Sequence, residues 1–198
     1  MTLVSQADLV AGALAGQVVS FPTDTVPALA VLPECAGLIF ALKKRPPHKP
    51  LILMAATADE LWTYTSGTAA EQQIWQQVAR QYWPGALTLV LPASSQLPAA
   101  INPCHSATIA VRVPSDDLAL TILAQTGPLA TTSANLSGEP PLETMTAIEA
   151  KFPDILILDD SQHQKKRGCG LPSTLAQWTG QEWKILRQGG IRAIEIRR

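Results

Sequence analysis

Two spacings of apolar positions alternate along this chain, one helical and one extended. Residues 6–15 read as a helix. Ser5 caps it, Asp8 follows three residues on in the manner of a capping box, and Gly16 stops it. Gln17-Val18-Val19-Ser20-Phe21 then reads as a strand that runs into Pro22 and a turn rich in Thr and Asp. Leu38, Ile39 and Leu42 give residues 34–44 a helical spacing, which Pro46 and Pro47 end because proline cannot continue the hydrogen-bond ladder. Leu51-Ile52-Leu53-Met54 is a short buried strand, and Thr57 starts a short helix. A longer helix covers 69–83 and stops at Pro84. Residues 87–91, 108–113 and 129–132 read as strands, with a helix capped by Ser115 between the last two. Thr144 starts a further helix, Ile155–Leu158 forms a β-branched strand, and 173–178 with 182–187 form a hairpin around Thr179-Gly180-Gln181.

Mixed strands and helices with a late hairpin predict an α/β protein whose sheet is not purely parallel. The 198 residues suit a single domain over 1–198. Apolar residues make up 46% and charged residues 16%, which excludes a disordered chain. No apolar run approaches a bilayer span, so no membrane partner is expected. Cys35, Cys104 and Cys169 are odd in number and far apart, and Met1–Ser5 lacks a basic flank with an apolar core. Free thiols and a cytoplasmic location follow as expectations. His48, His105 and His163 have no metal-ligand spacing.

The net charge of −1 hides an uneven distribution. Residues 51–160 hold three Lys/Arg against eleven Asp/Glu, whereas 161–198 hold eight against two. Lys43, Lys44, Arg45 and Lys49 add four cations within seven positions. Such clusters gather phosphates, or simply form a solvated face, and Lys165-Lys166-Arg167 and Arg197-Arg198 fit either description. Lys43 and Arg45 sit where a helix ends, where cations also answer the helix dipole. Both face one ligand only if the chain turns between them. Ser133-Ala134-Asn135 follows a strand and suits a helix cap or an Asx-turn equally well. Arg112 lies in an apolar strand, where a guanidinium must face a cavity or a carboxylate. Asp24 reads as a turn residue or as a partner for a cation.

Seven short motifs, in order, change the weight of these features. They are Phe21-Pro22-Thr23-Asp24-Thr25-Val26, Lys43-Lys44-Arg45-Pro46, Lys49-Pro50-Leu51, Trp83-Pro84-Gly85, Val111-Arg112-Val113-Pro114, Ser133-Ala134-Asn135-Leu136-Ser137-Gly138 and Leu186-Arg187-Gln188-Gly189. Together they resemble the YrdC-like family of threonylcarbamoyl-AMP synthases in its short, single-domain form, over residues 18–189. The resemblance implies an open twisted mixed sheet with helices around a large concave basic cavity. It implies synthesis of threonylcarbamoyl-AMP and pyrophosphate from L-threonine, bicarbonate and ATP, for t6A modification of tRNA. Two anions, a carbamate and the ATP α-phosphate, must then meet, which calls for converging cations rather than a covalent nucleophile.

By the same resemblance Lys43 and Arg45 are catalytic, and Arg45, Lys49, Thr108, Ser133, Asn135 and Arg187 bind ATP. Thr25, Arg112, Thr131 and Ser173 bind threonine, Arg112 through the carboxylate. Mg2+ is expected to arrive on the ATP phosphates with few or no dedicated protein ligands, and no tightly bound cofactor is expected. Implied partners are tRNA or double-stranded RNA and other t6A-pathway proteins. The chain departs from the family's Tyr-Gly after Thr-Val, carrying Pro27-Ala28 instead, and carries Met54 where many longer members have histidine. Two other readings follow: a double-stranded RNA- or tRNA-binding module, or a nucleotide-binding paralogue with altered or lost threonine use.

Overall fold

The computed structural model describes residues 2–104, 106–161 and 168–192. In chain order the strands are β1 (Leu3–Val4), β2 (Val19–Phe21), β3 (Ala28–Val31), β4 (Ile52–Met54), β5 (Leu87–Pro92), β6 (Thr108–Arg112), β7 (Leu129–Ser133), β8 (Leu156–Leu158), β9 (Thr174–Trp178) and β10 (Trp183–Arg187). The helices are α1 (Gln6–Leu14), α2 (Gly37–Lys43), α3 (Asp59–Trp62), α4 (Ala69–Tyr82), α5 (Asp117–Thr126) and α6 (Met145–Lys151).

Local chemistry accounts for most of these boundaries. The Ser5 hydroxyl accepts the Asp8 N–H and starts α1, and Gly16 takes the positive φ of 79° that ends it. Thr68 and Glu71 form a reciprocal capping box at the start of α4. Asp116, not Ser115, caps α5, its carboxylate accepting the Leu118 and Ala119 N–H groups. Asp116 stands one residue nearer the first helical turn, within reach of both donors. The helix expected over 34–44 is broken: a 3-10 turn over Pro33–Cys35 precedes α2.

Among the described residues these ten strands form one sheet in the order β1-β8-β2-β3-β7-β4-β6-β5-β9-β10. Parallel pairs (β1/β8, β2/β8, β4/β6, β5/β9) mix with antiparallel ones, so the sheet is mixed, as its element order predicts. Strands β1 and β3 are additions to the sequence reading. All four residues of β3 are buried, so the strand lacks the alternation that marks a half-exposed strand. Core clusters pack on both faces of the sheet: one contains Trp75, Leu89 and Ile148, the other Leu9, Phe21 and Ile122. Among the described residues no helix is long and apolar enough to cross a membrane.

Alternation along the central strands defines one further surface. In β5, Leu87, Leu89 and Leu91 enter the core, while Val90 lines a cavity. Ala110 and Arg112 of β6 and Leu175 and Gln177 of β9 line the same cavity. The register places Val90 opposite both Ala110 and Gln177. Thus one stretch of the sheet is the cavity floor.

Candidate active site

The cavity encloses about 640 Å3, inside the roughly 300–1,000 Å3 range of small-molecule sites. Thr25, Arg45, Lys49, Thr108, Arg112, Thr131, Ser133, Asn135, Ser173 and Arg187 all line it. Side chains predicted from five separate stretches of sequence therefore share one space. The clusters at 165–167 and 197–198, with His105 and His163, lie outside the described residues.

Arg112 is held most rigidly. It is 3% exposed, yet each of its nitrogens has an acceptor. Nε donates to the Gly85 carbonyl at 3.0 Å, Nη1 to Thr25 Oγ1 at 2.8 Å and Nη2 to Asp24 Oδ1 at 2.7 Å. Burial disfavours its charge, and Asp24 opposes that effect. Asp24 is thus the carboxylate that an arginine in an apolar strand requires. Its Oδ1 also accepts the Ser115 N–H. Thr23 Oγ1 donates to the Val26 carbonyl, which leaves Thr25 as donor in the 3.1 Å Thr23–Thr25 hydroxyl pair. The turn presents Thr25 and Arg112 together, and the 168–170 segment clamps it from outside. Cys169 N–H donates to the Asp24 carbonyl and Gly170 N–H to that of Thr25.

The other cations lining the cavity converge from two directions. Lys44 is the C-cap of α2 and adopts the left-handed region, φ 50° and ψ 42°. That turn sends Arg45 to the cavity, where Nε donates to the Lys49 carbonyl and Nη2 to that of Pro50. Arg187 reaches it from β10, donating to the Ser173 carbonyl and to Ser173 Oγ. Ser173 Oγ also pairs with Thr88 Oγ1 at 2.7 Å. Burial lowers the pKa of both arginines. Repulsion by Arg187 adds to the effect on Arg45, and repulsion by Arg112 to that on Arg187. An anion between them relieves that repulsion.

Lys43 corrects the sequence expectation. It is 1% exposed and does not line the cavity. Its ammonium donates to the carbonyls of Ser133 and Asn135 and to Asn135 Oδ1. The left-handed turn at Lys44 points Lys43 and Arg45 different ways, so the pair does not face one ligand. Burial, then the neighbouring Arg45, pulls the Lys43 ammonium down to about 7. Three oxygen acceptors act against this by binding the charged form. Ser133 Oγ donates to Asn135 Oδ1 at 2.6 Å, and Asn135 Nδ2 donates to the carbonyls of Leu136 and Glu139.

Several lining residues escape the sequence reading: His48, Glu139, Pro141, Leu175 and Gln177. The period-two pattern puts Leu175 and Gln177 on one face, but only the strand order shows that this face meets Val90 and Ala110. Pro27 and Met54 also line the cavity. Ala28 begins β3 opposite Ser133. Lys44 is the one non-glycine with positive φ among the described residues, so Ala28 sits without backbone strain where the family has glycine.

Comparison with known proteins identifies the family. A family model for Sua5/YciO/YrdC domains, described as "Telomere recombination", matches residues 13–189. The chain belongs to this family. Its Sua5/YciO/YrdC relatives include proteins named threonylcarbamoyl-AMP synthase from Pyrococcus abyssi, 34% identical over 188 residues, and Bacillus subtilis, 35% identical over 192. Each alignment covers 91% of this chain, but 53% and 52% of those proteins. The chain therefore spans about half the length of these two relatives. A third protein of that name, from Yersinia pestis, is 34% identical over 150 residues, covering 74% of this chain and 78% of its own. The crystal structure of P. abyssi Sua5 complexed with L-threonine superposes with a TM-score of 0.86 at 30% identity, over 98% of this chain and 57% of that one. Escherichia coli YciO shares the fold, with a TM-score of 0.80 at 24% identity over 94% and 90% of the two chains.

One substitution tests whether Arg45 meets a nucleotide. Arg45→Ala is expected to weaken ATP binding by about 1.5–3 kcal/mol, the worth of a charge-assisted contact, without loss of the fold. Unchanged affinity by calorimetry would restrict Arg45 to bracing the 45–50 loop.

Proposed function

We propose that the protein makes threonylcarbamoyl-AMP and pyrophosphate from L-threonine, bicarbonate and ATP, supplying the activated donor for t6A modification of tRNA in the cytoplasm. The observation that carries this reading is the meeting of Arg45, Lys49 and Arg187 with the Arg112–Thr25–Ser173 group in one cavity. The first three suit a triphosphate. Arg112 and the two hydroxyls suit a small amino acid with a carboxylate. The P. abyssi relative bound to L-threonine lends support to that second assignment.

The chemistry asks the protein to position and to neutralise. Threonine's free amine adds to bicarbonate, giving a carbamate and water. A carbamate oxygen then attacks the α-phosphorus. The bond to the bridging oxygen of the β-phosphate breaks, and pyrophosphate leaves with its Mg2+. Arg45, Lys49 and Arg187 offset the charge of the phosphates and of the leaving group. Arg112 fixes the threonine carboxylate, with Thr25 and Ser173 beside it. Thr108, Thr131, Ser133 and Asn135 complete the walls. Holding both reactants in line supplies much of the rate enhancement. Pro27, which lines the cavity where the family carries tyrosine, leaves that wall shorter and points to looser discrimination of threonine from serine or valine.

The decisive experiment incubates purified protein with MgATP, bicarbonate and each amino acid in turn, measuring pyrophosphate and adenylate. Pyrophosphate release that requires both threonine and bicarbonate is the expected outcome. Release that is absent, or equal without threonine, overturns the proposal.

A further inference from the structure

Lys43 carries a buried charge that the chemistry above does not use. Its three ammonium hydrogens have three acceptors: the Ser133 carbonyl, the Asn135 carbonyl and Asn135 Oδ1, the last at 3.1 Å. An ammonium has three donors and no acceptor, so none remains for a phosphate oxygen. The Lys43 carbonyl in turn accepts the Ser137 N–H at 3.1 Å. Four bonds from one residue thus fasten the end of α2 to the turn that follows β7. From the same helix end the chain reverses through Lys44, the Arg45 N–H closing on the Phe40 carbonyl, and Arg45 enters the cavity. The spacing between the Arg45 loop and the Ser133–Asn135 turn, two parts of the cavity wall, therefore runs through Lys43. Asn135 Oδ1 is shared by Lys43 and Ser133 Oγ, so loss of the ammonium loosens the hydrogen-bonded pair that these two lining side chains form.

We infer that Lys43 is a positioning residue, fixing the Ser133–Asn135 turn against the Arg45 loop without touching the nucleotide. The inference rests on the nucleotide-binding reading of this cavity. It also distinguishes the two cations of one short motif: Arg45 meets the ligand, and Lys43 sets where its surroundings stand.

The test is a pair of double-mutant cycles on the full chain. Lys43→Met, Asn135→Ala and Arg187→Ala are made singly, and Lys43→Met is combined with each of the others. ATP affinity and threonine-dependent kcat/KM are measured on protein shown by circular dichroism to be folded. Lys43→Met is expected to lower kcat/KM for ATP about tenfold or more. Its combination with Asn135→Ala should stay within about threefold of the worse single variant, because both break one network, whereas its combination with Arg187→Ala should multiply the two losses. Multiplied losses with Asn135→Ala, or unchanged kcat/KM in folded Lys43→Met, overturn the inference.

Should Lys43→Met not fold, NMR of the wild type decides, at about pH 6, where an ammonium lowered to about 7 is still charged. Scalar couplings across the hydrogen bonds, from Lys43 Nζ to the Ser133 and Asn135 carbonyl carbons, should persist on saturation with MgATP. Their disappearance, or a coupling to phosphorus, overturns the inference. A wild type that binds no ATP sinks the functional reading and this inference together. A wild type that binds ATP but shows the multiplied losses sinks this inference alone.

Discussion

Arg112→Ala is expected to lose threonine-dependent turnover and to cost about 3 kcal/mol of folding stability, the lower end for breaking a buried ion pair. The lower end applies because Asp24 is 14% exposed and gains some hydration once its partner is gone. The loss has two sources that a second variant separates. Arg112→Met together with Asp24→Asn replaces the charged pair with groups of similar volume. Stability should return to within about 1–2 kcal/mol of wild type, since a buried pair is worth little net against a packed apolar group. Threonine dependence should not return, because no cation faces the carboxylate. Urea titration measures the first quantity and pyrophosphate release the second. Threonine dependence surviving in the double variant would make Arg112 a structural member of an ion pair and nothing more.

Gly189→Ala should rank with it. A methyl there would stand 2.1 Å from the Pro172 carbonyl oxygen, 2.5 Å from Ser173 C and 2.6 Å from Thr174 N. All three are main-chain atoms, so no rotamer change relieves the collision. A destabilisation of about 3 kcal/mol, the upper range of overpacking, is expected. The strand start that must yield carries Ser173, whose carbonyl receives Arg187 and whose hydroxyl meets Thr88. Activity in the residual folded protein should therefore fall as well. Gly37→Ala is the control: nothing lies within 4 Å of that position, in the first turn of α2, and stability should rise by up to about 0.5–1 kcal/mol. Equal thermal shifts in the two variants would contradict the packing argument.

Much of this fold is legible in the sequence because its elements carry strong local signals. The helix read over 69–83 and stopped by Pro84 is α4, Thr144 caps α6 as expected, and the 179–181 turn marks the β9/β10 hairpin. The Arg112–Asp24 relation is also legible in kind, since a guanidinium among apolar strand residues demands an anion. What stays hidden depends on register or on one dihedral angle. Strand β3 follows Pro27 and is buried throughout, so neither alternation nor length marks it. Lys44 takes positive φ without being glycine or asparagine, and no sequence cue foretells that Lys43 and Arg45 part there. Gln177 joins the cavity only because β9 lies parallel to β5, a pairing between segments more than eighty residues apart.

The strand order has one further consequence. The cavity's walls come from the 23–28 turn, the 45–54 loop and strand, β6, the 131–141 region and the 172–187 hairpin. These segments meet only when β7 has inserted between β3 and β4 and β9 has docked on β5. Partly assembled chains consequently lack the complete site. Ligand occupancy is thus linked to the global unfolding equilibrium, and saturating nucleotide at about a hundred times its dissociation constant should raise the whole protein's stability by about 2.7 kcal/mol. Hydrogen exchange should slow together in β2 and β9, at distant places in the sheet, and not merely in the loops that touch the ligand.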